Sequence, residues 1–151
     1  MNIDWIAVEY SAAALQAWAI GQDGQVLAQL TTQKAAHAEA QDLLNLIDPW
    51  LASIDPANPV NIIACGIVAP QTDYTPAPCR PLATSVRAIP ITDPRATLHV
   101  TSSISQHKPA DVILGEEAQI AGFQAKFPNF DGVICLTGWH SKWVHVSAGE
   151  I

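Results

Sequence analysis

The first third of the chain alternates apolar and polar positions. "WIAVEY" and "LQAWAI" are β-type runs separated by "SAAA", and "QVLAQLTT" follows the turn signal "GQDGQ", which predicts an antiparallel three-strand meander. The period then lengthens. From Ala38 to Leu51, Ala40, Leu43, Leu44, Ile47 and Leu51 recur at three- and four-residue spacings, the stripe of a helix packing on a sheet. Pro49 should kink or end that helix. After the Pro-Asn-Pro punctuation, "VNIIACGIVA" is a continuous β-branched run, expected to be a strand covered on both faces. From Pro70 to Pro94, Pro and Thr predict a surface excursion with at most an edge strand at Val86 to Ile89. "ATLHVTSSI" reads as one further strand. Two Glu in the first turn of "GEEAQIAGFQAKF" predict a helix from about Glu116 to Phe127, because a helix N-terminus favours negative charge. "VICLTGWHSKWVHV" closes the pattern as two short strands joined at a Gly-containing turn.

Composition narrows the classes. With 151 residues and 49% hydrophobic content the chain can bury one core, as a single domain or as one lobe of something larger, and disorder is excluded. No apolar run approaches the roughly 20 residues of a membrane span, and the N-terminus lacks a basic region followed by an apolar signal core, so a soluble, cytoplasmic chain is expected. A net charge of −7 with seven Lys and Arg leaves no basic stripe for a phosphate backbone, so nucleic acid is not an expected partner. Cys65, Cys79 and Cys135 share no Cys-x-x-Cys spacing and read as buried thiols. His37, His99, His107, His140 and His145 show no metal-binding spacing; nucleotide loops of the Walker or dinucleotide type and the Gly-x-Ser-x-Gly elbow are absent.

The order of elements is similar to the ribonuclease-H-like lobe of the sugar kinase, heat-shock ATPase and actin superfamily, an α/β fold with a mixed sheet and flanking helices. Three segments narrow the match: "WIAVEYSAAALQAW", "DVILGEEAQIAGF" and "LTGWHSKWV" resemble, in order and spacing, segments of the 2-dehydro-3-deoxygalactonokinases, and "CGIVAPQTDY" is a weaker fourth. The resemblance covers nearly the whole chain but only about the first half of such a kinase. It implies a first lobe over residues 1–131 and a hairpin over 132–151 that resembles the start of the second lobe. In that family two lobes clamp ATP, with Mg2+, and a sugar acid, and each lobe contributes a phosphate-cradling hairpin.

Site residues follow from that resemblance. In the first hairpin Glu9 stands where the family has a metal-orienting Asp and would hold magnesium through water, while Ser11 keeps the phosphate-facing hydroxyl. The family's Gly, Thr and Arg are replaced around Ala12, Ala13 and Gln16, which removes backbone freedom and a charge from the cradle. The plainer reading is an ordinary strand connection with a solvated Glu. In the second hairpin Gly138, His140, Ser141 and Lys142 are kept from a Gly-Thr-His-Ser-Lys-Trp pattern, with Trp139 in the Thr position. Gly138 would permit a tight turn, Ser141 offers a hydroxyl and Lys142 a point charge; alternatively Trp139 and Trp143 pack on a partner surface. Glu117 or Glu116, after Gly115 at the helix start, would be the general base that takes the proton from the attacking hydroxyl. The alternative is that both Glu simply satisfy the helix N-terminus.

Two functions stand. The first is ATP-dependent phosphoryl transfer to a keto-deoxy sugar acid, with little activity in a lone lobe whose carboxy-terminal lobe is missing. The second is a non-catalytic binding or dimerisation module, with homodimer or sheet-edge contacts at Trp139, Trp143 and the last strand.

Overall fold

Strand pairing and one amphipathic helix account for most of the architecture. The computed structural model describes residues 1–11, 14–33, 39–66, 74–81, 86–138 and 140–151. In chain order the elements are β1 (Trp5–Tyr10), β2 (Ala14–Ile20), β3 (Val26–Gln33), α1 (Ala40–Leu51), β4 (Val60–Cys65), β5 (Tyr74–Pro76) and β6 (Arg87–Ile89). There follow β7 (Ala96–Val100), β8 (Ser103–Gln106), β9 (Asp111–Ile113), α2 (Glu116–Lys126), β10 (Gly132–Leu136) and β11 (Lys142–Val146). They divide into two compact units, Met1–Ala69 with Val86–Thr101, and Pro70–Ser85 with Ser102–Ile151.

The first unit is a six-stranded mixed sheet in the order β3-β2-β1-β4-β7-β6. β1, β2 and β3 form the expected antiparallel meander, while β4 runs parallel to both β1 and β7. Parallel neighbours cannot be joined by a tight turn, so the chain must cross over one face of the sheet, and α1 lies in that crossover. Residues paired across strands share a face, which sets Ile6, Val8, Ala17, Ala19, Ile62, Ala64 and Leu98 on one side. These positions form one core with Leu43, Leu44, Ile47 and Leu51 of α1. At the start of α1, Asp42 Oδ2 accepts a hydrogen bond of 3.2 Å from the backbone N–H of Glu39, half of a capping box.

Several expectations change. Pro49 lies inside α1, which continues to Leu51, so it falls in the last turn, where the missing N–H costs one bond and the helix ends anyway. β4 is not covered on both faces along its length: Asn61 is exposed and Ile63 half-buried, because the described elements put α1 on one face only. The run "ATLHVTSSI" is two strands in two sheets. Thr101 still donates to the Ala64 carbonyl at 2.9 Å, and the chain then leaves the first sheet. β6 is the edge strand expected near Val86 to Ile89, paired antiparallel to β7. Tyr74–Pro76 is a further short edge strand that the Pro-rich pattern concealed. Ala38, His37 and Val68 to Asp73 lie outside the described residues.

The second unit holds a three-stranded sheet, β5-β8-β9, and a two-stranded one, β10-β11. Its small core gathers Ile104, Ile113 and Ile120, with Ile134, Leu136 and Val144 from the inward face of the hairpin. The outward face carries Val133, Cys135, Trp143 and His145, all exposed. Cys65 is buried as expected. Cys79 is only half-buried, and Cys135 is exposed because its alternate position on β10 points away from the core. Among the described residues no helix is long and apolar enough to cross a membrane.

Two consequences follow for stability. Ile47 is fully buried beneath the sheet, so Ile47→Ala should cost about 2–5 kcal/mol in urea unfolding, through lost transfer energy and a residual cavity. Arg95 clips the β6–β7 connection to α1, donating to Asp93 at 2.7 Å and to Asp48 at 2.8 Å. The Arg95 hydrogen bonds hold the Asp93 carboxyl below its ordinary value. A depressed carboxylate contributes stability above its unfolded value near 4 and loses it as pH falls through the folded value. Arg95→Met should therefore lower the urea midpoint at neutral pH, and the gap to the parent should shrink as acid protonates Asp93.

Candidate functional site

The β1–β2 connection brings Glu9 to the end of a central strand, half-buried, opposite Gln16 and beside Cys65. Ser11 follows at the turn. Its hydroxyl donates to the Ala14 carbonyl at 3.0 Å and accepts from the Ala14 N–H at 3.1 Å, while the Ser11 N–H also reaches the Ala14 carbonyl at 2.9 Å. The side chain therefore closes its own turn, and to bind a phosphate it must exchange those bonds. Ala12 and Ala13 lie outside the described residues.

In the second unit, Gly115 begins α2 with φ 109°, a conformation that suits glycine because it has no Cβ. This geometry turns both following carboxylates back on the helix start. Glu116 Oε2 accepts from the Leu114 N–H and Glu117 Oε2 from the Gly115 N–H, each at 2.7 Å. Glu117 is only 1% exposed and lies in the helix turn that also buries Ile120, whereas Glu116 is half-buried. Charge-assisted bonds to backbone N–H groups at a helix N-terminus stabilise ionised carboxylates.

The hairpin turn places Gly138, His140 and Ser141 at the surface, with Trp139 outside the described residues. Gly138 does not need its conformational freedom: its φ is not positive, and an added Cβ would come no closer than 3.7 Å, to the His140 carbonyl. Lys142, at the start of β11, is paired with Asp111 at the start of β9. The Lys142 ammonium, then the Val112 N–H, hold the Asp111 carboxyl below its ordinary range. Asp111 and Lys142 line a cleft of about 330 Å³ together with Val112, Ile113, Val144 and Ile104. Asp111 was not among the residues singled out from sequence, although it heads the segment "DVILGEEAQ". An acidic residue opening one quoted segment and a basic residue in another was the only sequence signal for the pair.

The nominated residues are thus brought together in part. Lys142, His140 and Ser141 share the hairpin, and Lys142 meets Asp111; Glu9 and Ser11 belong to the first unit. Among the described residues no three His, Cys, Asp or Glu side chains gather as a metal cage. Nucleotide-bound magnesium is commonly held by one or two carboxylates plus phosphate oxygens and water; within the first unit Glu9 is a carboxylate of that kind, and within the second Lys142 is a cation of the kind that binds phosphate oxygens. Ser11 suits phosphate only after leaving Ala14.

Comparison with known proteins agrees in direction. The chain matches the family described as 2-keto-3-deoxy-galactonokinase over residues 10–151. It is 27% identical over 157 aligned residues to "Probable 2-dehydro-3-deoxygalactonokinase DgoK1" of Rhizobium meliloti (strain 1021), covering 97% of this chain and 51% of that protein. A crystal structure of a Sinorhizobium meliloti protein assigned as a 2-dehydro-3-deoxygalactonokinase superposes with a TM-score of 0.79 at 26% identity, over 97% of this chain and 50% of that one. The chain therefore spans about half the length of these relatives, corresponding to their amino-terminal portion. On the match over residues 10–151, the chain belongs to the 2-keto-3-deoxy-galactonokinase family.

Proposed function

We propose that this chain supplies the amino-terminal half of an ATP-dependent kinase that phosphorylates a keto-deoxy sugar acid such as 2-dehydro-3-deoxygalactonate. The observation that carries this reading is the family match over residues 10–151. Strand order β3-β2-β1-β4-β7, with a meander followed by two parallel strands, supports a ribonuclease-H-like lobe. In the same reading residues 1–131 are the first lobe and 132–151 open the second. The site of action is the cytoplasm.

Glu9 orients magnesium through water, and Lys142 and Ser141 steady phosphate oxygens, with Gly138 and His140 shaping the turn around them. Magnesium, when bound, offsets negative charge on the phosphates. Glu116 is better exposed than Glu117 to take a proton from the substrate hydroxyl; Glu117, buried against the helix start, positions that turn. Neither Glu acts until its back-bond to the helix start is exchanged for the substrate, which is what closure of a second lobe would bring about. A lone half has low activity, since phosphoryl transfer relies on positioning from both sides.

A non-catalytic association module is the second reading, and one observation favours it: Trp143 is 74% exposed on the outward face of the hairpin. That face would mediate a homodimer or contact with a missing half.

Calorimetry with ATP and magnesium separates these readings. Binding should be weakened by Glu9→Ala and by Lys142→Ala, each by about tenfold, the scale of one charged contact; no heat at millimolar ATP would leave only the association module. Asp111→Asn has the opposite sign. It frees the Lys142 ammonium and should tighten ATP binding several-fold, by about 1 kcal/mol or less given the exposure of Asp111. The same substitution should flatten the acid limb of stability below about pH 4, because the depressed carboxyl whose protonation breaks the pair with Lys142 is then absent.

A further inference from the structure

The six-stranded sheet ends differently on its two sides. On one side is β6, three residues long, with Arg87 at its start and Pro90 directly after it. A short strand that bears a cation and is stopped by proline offers a poor template to another chain. On the other side β3 runs for eight residues without a charge or a proline. Among the described residues nothing pairs with its outer side.

The side chains of β3 stop short of full burial. Its register with β2 sets Ala28, Leu30 and Thr32 opposite Ala19, Ala17 and Leu15, on the α1 face. Gln29 and Thr31 lie opposite Trp18 and Gln16, on the other face. Ala28 and Leu30 pack against the core yet are only half-buried, at the rim where the described sheet ends. A bulge at Ala19/Ile20 interrupts the ladder before Ala28, so the regular part of β3 runs from Ala28 to Gln33. Within it the burial pattern is symmetric about Leu30: exposed Gln29 and Thr31 flank it, and half-buried Ala28 and Thr32 lie beyond.

We propose that the outer side of β3 is an interface between two copies of this chain, paired antiparallel about a two-fold axis at Leu30. A two-fold perpendicular to the sheet sets a strand antiparallel to its own copy and keeps both α1 helices on one face. In that register Leu30 meets the partner's Leu30, Ala28 meets the partner's Thr32, and Gln29 meets the partner's Thr31. No charge opposes a like charge, and the Gln amide and Thr hydroxyl can hydrogen-bond across the pair. On the α1 face the half-buried Leu30 continues into its copy, which covers the rim of the core. Each copy spends its one bare border, and β6 cannot extend the sheet from the far side, so the assembly closes as a dimer. The interface uses the first unit alone and requires neither nucleotide nor substrate.

Sedimentation and hydrogen exchange of the chain at about 1–200 µM test it. A dimer should form as concentration rises, and the outward-pointing amides between Ala28 and Thr32 should slow by about tenfold or more, while those of β6 and β11 stay unchanged. Gln29→Lys, on the exposed face, should leave the urea midpoint unchanged and weaken the dimer about tenfold, because it brings two like charges to the border. Adding Thr31→Glu to that variant sets opposite charges face to face in the Leu30 register and should recover the affinity. A monomer throughout the range overturns the proposal. So does a dimer that slows β11 in place of β3, or one indifferent to Gln29→Lys. Weakening without recovery in the double variant overturns the pairing about Leu30.

Discussion

Parallel pairing of β4 with β1 and β7 is the constraint on which the first unit depends. Backbone groups in the middle of a sheet have no water to bond, so each of these strands must find a neighbour on both sides. The meander supplies one flank of β1, and the crossover through α1 supplies the other. Because the crossover must pass over a face, the stripe Leu43, Leu44, Ile47 and Leu51 covers Ile6, Val8, Ile62 and Leu98 as a direct result of the topology. Hydrogen bonding thereby decides where the hydrophobic core lies, and burial then fixes the register of every strand, since a one-residue slip would turn these side chains outward.

The same requirement shapes the second unit differently. Its sheets are short, its core rests on three isoleucines, and the backbone is paired piecemeal: Ala77 with Ser105, Cys79 with Ile151, Ser147 with Glu150. The candidate chemistry is likewise self-satisfied. Ser11 is bonded to Ala14, Glu116 and Glu117 to the start of α2, and Lys142 to Asp111. A side chain held by a local partner is pre-positioned, but a ligand must displace that partner before it gains the contact. Net affinity is then a difference between two similar interactions, which keeps it modest unless binding is driven from elsewhere.

Much of the fold could be read from the sequence because its signals are periodic. Alternation marked β1 to β3, and the three- and four-residue spacing marked α1; paired Glu marked the start of α2, and the final hairpin stood out by its Gly-containing turn. What escaped notice depended on distant residues. The split between β7 and β8 is a change of sheet, invisible in the local pattern of "ATLHVTSSI". Asn61 and Cys135 sit in apolar runs yet face outward, because which side of a strand is covered is decided by elements far along the chain. The pairing of Asp111 with Lys142 joins residues from different segments, and no spacing rule relates them. Motif residues were found readily, whereas the bonds that occupy them were not.

β3 ends the six-stranded sheet, and its eight residues contain no Lys, Arg, Asp, Glu or Pro, the groups that usually blunt such a border. Its polar positions are Gln and Thr, which readily pair across strands. Mutual repulsion from the net charge of −7 is then the main barrier between molecules in solution. That barrier vanishes near the isoelectric point of about 4.9, so on mild acidification an unguarded border of this kind has least to keep it from pairing with another molecule.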